Sequence, residues 1–311
     1  MKTLDDRKKE ADRIIEKYLP KEEGPDKTLL EAMNYSVRVG GKRLRPILLQ
    51  SFGLMYGADP KSLEPFMAAI EMIHTYSLIH DDLPAMDNDM LRRGNPTTHA
   101  KYGEAMAILA GDGLLNTAFD IMSEASTQAL TSDDDPSNSI DNVISALYAT
   151  NFISHNAGIG GMVGGQSLDV ETDKTGRDVT GEELSYIYSH KTSALLIASM
   201  MAGAVLGGSE VGDDLNLIGK AGNKIGFAFQ VRDDILDIEG DEKVLGKETG
   251  QDAKNGKSTF VSIHGIEDSE EIIKDFTEDA KTDIGNLKNV KDEEERLFIM
   301  DLFDSLTERN H

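Results

Sequence analysis

Between residues 66 and 78 this chain is apolar on almost every side of a helix, with Phe66, Ile70, Ile73 and Leu78 set among other apolar residues. A surface helix needs only one apolar face, so a segment of this kind belongs inside a larger protein. The three-and-four spacing recurs along the chain. Ile14, Ile15, Tyr18 and Leu19 open an amphipathic helix that Pro20 closes; Leu30, Met33 and Val37 repeat until Gly40-Gly41 supplies a stop. Ile108, Leu115, Phe119 and Met122 mark another helix, and Ile273, Phe276, Ala280, Ile284 and Leu287 a further one. No run of alternating β-branched residues stands out, and no Asn-Gly turn joins two such runs. The expected class is therefore all-α. Segments 132–142 and 172–181 read as surface loops too short to link domains, so residues 1–311 are expected to form a single domain of about ten helices.

Composition removes several kinds of chemistry. There is no cysteine, which excludes disulfides, thiolate catalysis and zinc–thiolate sites. A net charge of −24 repels nucleic acid and anionic lipid, so no nucleic-acid partner is expected. The start of the chain is charged rather than apolar, so no secretory signal is expected and a cytoplasmic location is. The longest apolar run, 194–206, falls short of the ~20 residues that cross a bilayer and reads as a buried helix.

Two aspartate clusters sit where negative charge is locally unwelcome. The first runs His80-Asp81-Asp82-Leu83-Pro84-Ala85-Met86-Asp87-Asn88-Asp89, and the second Asp233-Asp234-Ile235-Leu236-Asp237. Asp81 and Asp82 precede Pro84, which ends their helix, and so face the negative end of its dipole. Asp233 and Asp237 are four apart, and Asp234 and Asp237 three apart, so like charges crowd one helix face. A hard divalent cation resolves both conflicts, because Mg²⁺ takes carboxylate oxygen and also bridges phosphate oxygen. Neither cluster has the alternating ligands, central glycine and final glutamate of an EF-hand.

Basic residues gather around these clusters in an otherwise acidic chain. Gly40-Gly41-Lys42-Arg43-Leu44-Arg45-Pro46 precedes the first cluster, and Arg92-Arg93 follows it. Lys191-Thr192 lies between the clusters; Lys247 and Lys257 follow the second. Arginine offers phosphate a planar fork and lysine a point charge, so these groups suggest diphosphate clamps. His74 lies on the apolar helix one to two turns before Asp81. The glycine-rich stretch 158–165 lacks the Lys-Ser/Thr ending of a P-loop, which disfavours nucleotide binding. Gln166 and Asp169 follow it, three apart and on one helix face.

Taken together, these residues resemble the trans-isoprenyl diphosphate synthases, the family of farnesyl and geranylgeranyl diphosphate synthases. The likeness covers about residues 40–260 and rests on Gly-Gly-Lys-Arg-Leu-Arg-Pro, Asp-Asp-x4-Asp with Arg92-Arg93, Gly-Gly-Gln-x-x-Asp at 164–169, Lys191-Thr192, Phe229-Gln230 and Asp-Asp-x-x-Asp at 233–237. It implies an all-α bundle around a deep central cavity, normally a homodimer, with three Mg²⁺ per site. Asp81 and Asp87 would hold metal at the allylic diphosphate with Asp82 assisting, and Asp233 would hold a further ion with Asp237 close by. Arg92, Lys191 and Lys247 would clamp the allylic diphosphate (dimethylallyl or geranyl). Lys42, Arg45, His74 and Arg93 would bind isopentenyl diphosphate, with Lys257 a further substrate-binding residue, and Thr192 and Gln230 would flank the reacting carbons. Tyr76, five residues before Asp81, lies ~7–8 Å deeper along its helix and could floor the cavity. That floor favours a fifteen-carbon product, farnesyl diphosphate, over twenty-carbon geranylgeranyl diphosphate. A class I terpene cyclase and a non-catalytic partner subunit are the rival readings; both aspartate motifs being whole, with a second basic cluster, speaks against them. The acidic chain after Phe260 departs from the family pattern.

Overall fold

The computed structural model describes residues 2–131, 136–175, 177, 179–239 and 258–308. Helices dominate: α1 (Leu4–Tyr18), α2 (Lys27–Arg38), α3 (Leu44–Met55), α4 (Pro60–Asp81), α5 (Thr98–Tyr102), α6 (Glu104–Ala129), α7 (Pro136–Ala157), α8 (Met162–Thr175), α9 (Gly181–Ile187), α10 (Ala194–Leu206), α11 (Asp213–Glu239), α12 (Phe260–His264), α13 (Ile266–Gly285) and α14 (Glu293–Thr307). A single π-helical turn, Tyr188–Ser193, joins α9 to α10. Among the described residues this is more than the expected ten, and the surplus comes from short elements such as α5 and α12 that periodicity cannot register. Both expected loops shrink. Pro136 begins α7 directly, as suits a first helical residue whose N–H has no partner to lose, and α8 runs on to Thr175.

α4 is the buried axis. Phe66, Met67, Ile70 and Ile73 are at most 1% exposed, each contributing about 1.5–3 kcal/mol through burial. α4 packs against α3 on one side and α6 on another, and α10 lies against α3, α7 and α11. The α3–α10 seam is close because it is lined with glycine: a Cβ at Gly203 would lie 2.2 Å from the Leu49 carbonyl oxygen. A second apolar cluster, with Leu184, Tyr188, Phe227, Val231 and Ile273, ties α9, α11 and α13 together beside the second aspartate cluster.

Among the described residues strand structure is confined to a two-residue pair, Leu91–Arg92 (β1) with Asn95–Pro96 (β2), which residue patterning does not announce. Arg93 and Gly94 form its turn with φ of 53° and 76°. Two consecutive positive φ values are what tight hairpins use, and they put Arg93 in a backbone region costly for a side chain.

α6, at 26 residues, is long and apolar enough to cross a membrane by length and composition, a longer candidate than 194–206. It also carries Asp112, Asp120 and Glu124. It packs against α4 and leaves Ile108 (44%) and Leu109 (50%) exposed.

Candidate active site

A cavity of about 1050 Å³ opens beside the end of α4, lined by residues from α3, α4, α8, the π turn and α11. The chain leaves α4 at Asp81, and the loop through Pro84 folds back on it. The Asp87 N–H donates to the Asp81 carbonyl at 2.9 Å, and Asn88 takes φ 57° with its N–H on the Leu83 carbonyl at 3.1 Å. The first of these bonds holds the backbone of Asp87 against that of Asp81, although Asp87 itself is off the cavity lining. The Asp81 carboxyl lines the cavity and accepts from Gln166 Nε2 at 2.9 Å. Burial pushes its pKa up to about 6; Lys191 opposes this, and Asp87 and Asp82 add to it.

Asp82 and Arg92 lie differently from expectation. Arg92 donates to both oxygens of Asp82, from Nε at 2.8 and 3.0 Å and from Nη2 at 2.5 Å. Asp82 is 3% exposed, and burial raises its pKa against the pull of Arg92. The pair lines a small pocket behind the cavity wall rather than the cavity itself. In this state the two side chains are committed to each other.

The opposite wall is built from α8, the π turn and α11. A π turn carries one more residue than an α turn, and it brings Lys191 and Thr192 together onto the cavity. Gly165 makes room for it, since a Cβ there would lie 2.3 Å from the Lys191 backbone nitrogen. Lys191 pairs with the buried Asp169, which orients it. Thr192 Oγ1 donates to Gln230 Oε1 at 2.8 Å, and both line the cavity with Asp233. Asp234 and Asp237 are 4% and 3% exposed and stand off the cavity lining. Lys247 and Lys257 lie outside the described residues.

A third corner is basic. Lys42, Arg45, His74 and Arg93 all line the cavity. The Arg93 guanidinium lies over Gly41, where a Cβ would come within 2.6 Å of Nη1. Burial and then repulsion by Arg93 outweigh the attraction of Glu71 and push Arg45 down to about 10. His74 is held well below the usual imidazole range, first by burial and then by Arg45, Arg93, Arg92 and Arg43. Arg45 Nε is buried with no hydrogen-bond partner. Depressed basic pKa values and an orphaned donor mark a site short of negative charge, the state an anion relieves. Arg43 of the same motif is otherwise engaged: it bonds Asp12 at 2.7 Å, Glu71 at 2.6 Å and the Val37 carbonyl at 2.7 Å.

The carboxylates fit a magnesium ion. Asp81 and Asp233 offer hard oxygens from opposite walls, and the pKa of Asp81 is raised first by burial and further by the neighbouring Asp87 and Asp82, a strain that a bound cation would relieve. Among the described residues no three acidic or histidine side chains converge on one point. A cation held by these carboxylates would take the rest of its shell from water and phosphate oxygens.

Tyr76 is 7% exposed, lines the cavity below Asp81, and meets the His80 ring edge-on at 5.8 Å. Sequence reasoning placed Gln166 and Asp169 on one face without giving either a role. It missed Tyr188, whose hydroxyl donates to the buried Asp234, because a tyrosine in a largely polar stretch 46 residues away carries no sign of that partner.

A helical bundle around one deep cavity, with carboxylates on two walls and guanidinium groups at a third corner, defines a protein of isoprenoid-synthase type. The polyprenyl synthetase family model matches residues 26–293, and the chain belongs to that family. It is 44% identical to the farnesyl diphosphate synthase of Geobacillus stearothermophilus over 91% of this chain and 90% of the relative. It is also 40% identical to the geranylgeranyl diphosphate synthase of Cyanophora paradoxa, over 90% and 88% of the two chains. A crystal structure of the Helicobacter pylori geranyltransferase complexed with magnesium and isoprenyl diphosphate superimposes with a TM-score of 0.83 at 30% identity, covering 98% of this chain and 97% of that one.

Proposed function

We propose that the chain is a Mg²⁺-dependent prenyltransferase that joins isopentenyl diphosphate head to tail to an allylic diphosphate, dimethylallyl or geranyl, giving farnesyl diphosphate. The carrying observation is that carboxylates on two walls and a basic corner whose buried Arg45 Nε has no hydrogen-bond partner share one cavity. Two diphosphates need two such places, and a cyclase acting on one needs only the first.

Asp81, Asp87 and Asp233, with Asp237 close by, would hold Mg²⁺. Bound there, the metal supplies Lewis-acid neutralisation of charge on the departing diphosphate. Lys191 reaches the same mouth, and Lys247 belongs with it as a clamp. Arg92 and Asp82 would join the allylic site by exchanging their mutual ion pair for phosphate and metal. Lys42, Arg45, His74 and Arg93, with Lys257, hold isopentenyl diphosphate so that its double bond faces the allylic carbon. The allylic C–O bond breaks, and its electron pair leaves with diphosphate. The isopentenyl double bond then forms the new C–C bond, and the proton lost from the neighbouring carbon passes to the released diphosphate. In this reading no side-chain base is required for that proton. Thr192 and Gln230 present oxygens beside the reacting carbons, and the apolar wall keeps water from the cationic carbon. Tyr76 ends the space for the growing tail.

A relative named as a geranylgeranyl diphosphate synthase keeps twenty carbons as the alternative product, and in this reading Tyr76 sets the choice of fifteen. Residues 1–311 act as one domain in this reading, in a cytoplasmic homodimer. Ile108 and Leu109 on α6, with Ile144, Leu147 and Tyr148 on α7, are 44–56% exposed and form the apolar face such a dimer would cover. The test is diphosphate release. It should require both substrates and Mg²⁺ together; release from the allylic substrate alone at an equal rate would favour a cyclase, and none from folded protein a partner subunit.

A further inference from the structure

Asp234 belongs to the second aspartate cluster, yet it is 4% exposed and stands off the cavity. Both its oxygens already accept hydrogen bonds. Oδ1 accepts from Gln230 Nε2 at 3.2 Å. Oδ2 accepts from the Tyr188 hydroxyl and from the Phe260 N–H at 3.3 Å. That N–H also donates to Tyr188 Oη at 3.0 Å. Tyr188 sits on the π turn with its ring 5.3 Å from that of Phe227, which in turn packs on Phe260 at 5.7 Å and Phe276 at 5.4 Å. The carboxylate is therefore held from three elements.

We propose that Asp234, held by Tyr188, is a positioning residue that fixes which way the Gln230 amide points and thereby which way the Thr192 hydroxyl points. The inference rests on the prenyl-transfer reading of the cavity. The Asp234 oxygens accept from Gln230, from Tyr188 and from the Phe260 N–H, so Gln230 turns its NH₂ toward Asp234. Its carbonyl oxygen is then left for Thr192, whose hydroxyl donates to it at 2.8 Å. Thr192 has one proton, and it is used. The wall facing the cavity is left with oxygen lone pairs from Thr192 and Gln230 rather than N–H or O–H groups. Lone pairs favour the positive charge that develops on the allylic carbon, and fixed dipoles need no rearrangement as it forms. With the amide reversed, Gln230 would donate to Thr192 and free the hydroxyl proton to face the cavity.

Asp234→Asn tests this with almost no change of shape. The substituted amide would turn its carbonyl to the Tyr188 hydroxyl and the Phe260 N–H, leaving its NH₂ facing Gln230. The glutamine would then have to flip. Adding Gln230→Glu repairs the pattern, because a carboxylate at 230 accepts both from the substituted amide and from Thr192, and the net charge is unchanged. The expected result is a kcat about tenfold lower in D234N with each KM within about twofold, and recovery of most of that loss in D234N/Q230E. The melting temperature should fall in D234N and recover in the double variant, a readout that does not depend on catalysis. Recovered melting without recovered kcat would make Asp234 merely structural and overturn the proposal, as would recovery of neither. If the double variant does not fold, Tyr188→Phe decides: a kcat lowered about threefold at unchanged KM is expected, and an unchanged kcat overturns it. Wild-type protein that melts cooperatively but condenses nothing sinks the prenyl-transfer reading instead, while the melting cycle still reports whether Asp234 orients Gln230.

Discussion

Gly165→Ala puts the joint between α8 and the π turn under direct test. The added Cβ would stand 2.3 Å from the Lys191 nitrogen and 2.9 Å from the His190 carbonyl carbon. Both are backbone atoms, so no side chain can swing aside, and α8 must retreat from the turn by about 1 Å to reach ordinary contact distance. Overpacking of this kind costs about 1–3 kcal/mol, and alanine returns about 0.5–1 kcal/mol through its better helix propensity. The net loss is about 1–2 kcal/mol at mid-range, or roughly 1.5–3 °C in Tm at ~2.1 cal/mol/K of unfolding entropy per residue. The effect on activity should be larger than that on stability. α8 carries two links into the site, Asp169 to Lys191 across the joint and Gln166 to Asp81 at the end of α4. Displacing a site by about 1 Å lowers turnover by about 100-fold. Differential scanning fluorimetry and steady-state condensation kinetics measure the two effects. Gly181→Ala is the control, since a Cβ there meets nothing within 4 Å. G165A with wild-type Tm and kcat would refute the close packing of α8 on the π turn and the reason given for the glycine.

Other outcomes follow from the same geometry. Tyr76→Ala should open the cavity below Asp81 and shift product toward twenty carbons, read by chromatography of the dephosphorylated alcohols; an unchanged product length would reject the floor. Arg45→Ala should raise KM for isopentenyl diphosphate by about tenfold or more and leave KM for the allylic substrate nearly unchanged; equal rises in both would remove the basic corner as a separate site. Asp81 has a folded pKa of about 6, above the 3.8 of an unperturbed carboxyl. Its contribution to the stability of metal-free protein is therefore present below about pH 4 and lost as pH rises through 6. Mg²⁺ needs the ionised form, so it should raise Tm more at pH 7.5 than at pH 5, and the reverse order would contradict a carboxylate cation site.

Much of this was legible in residue order. Helical periodicity showed α4, α6 and α13 because each has an apolar pattern longer than two turns, and α1 and α2 because a proline or glycine stop ends their shorter patterns. The two aspartate motifs announced themselves by placing charge against buried segments. What escaped has a physical reason. The Arg93-Gly94 turn lacks the asparagine or aspartate that usually marks such hairpins. The π turn differs from an α turn by one residue's register, which no short apolar window reports. Asp82 and Arg92 looked like ligands because their types suit phosphate and metal, but whether a side chain meets a ligand or its own neighbour is decided by three-dimensional placement. Asp234 shares its type with Asp233 and differs from it only in which side of α11 it faces.

The most direct test of the account is the length of the product made from isopentenyl diphosphate and dimethylallyl diphosphate, with Mg²⁺ and with chelator. The account predicts a fifteen-carbon diphosphate formed only with the metal. A metal-independent product, or no condensation by folded protein, would contradict it.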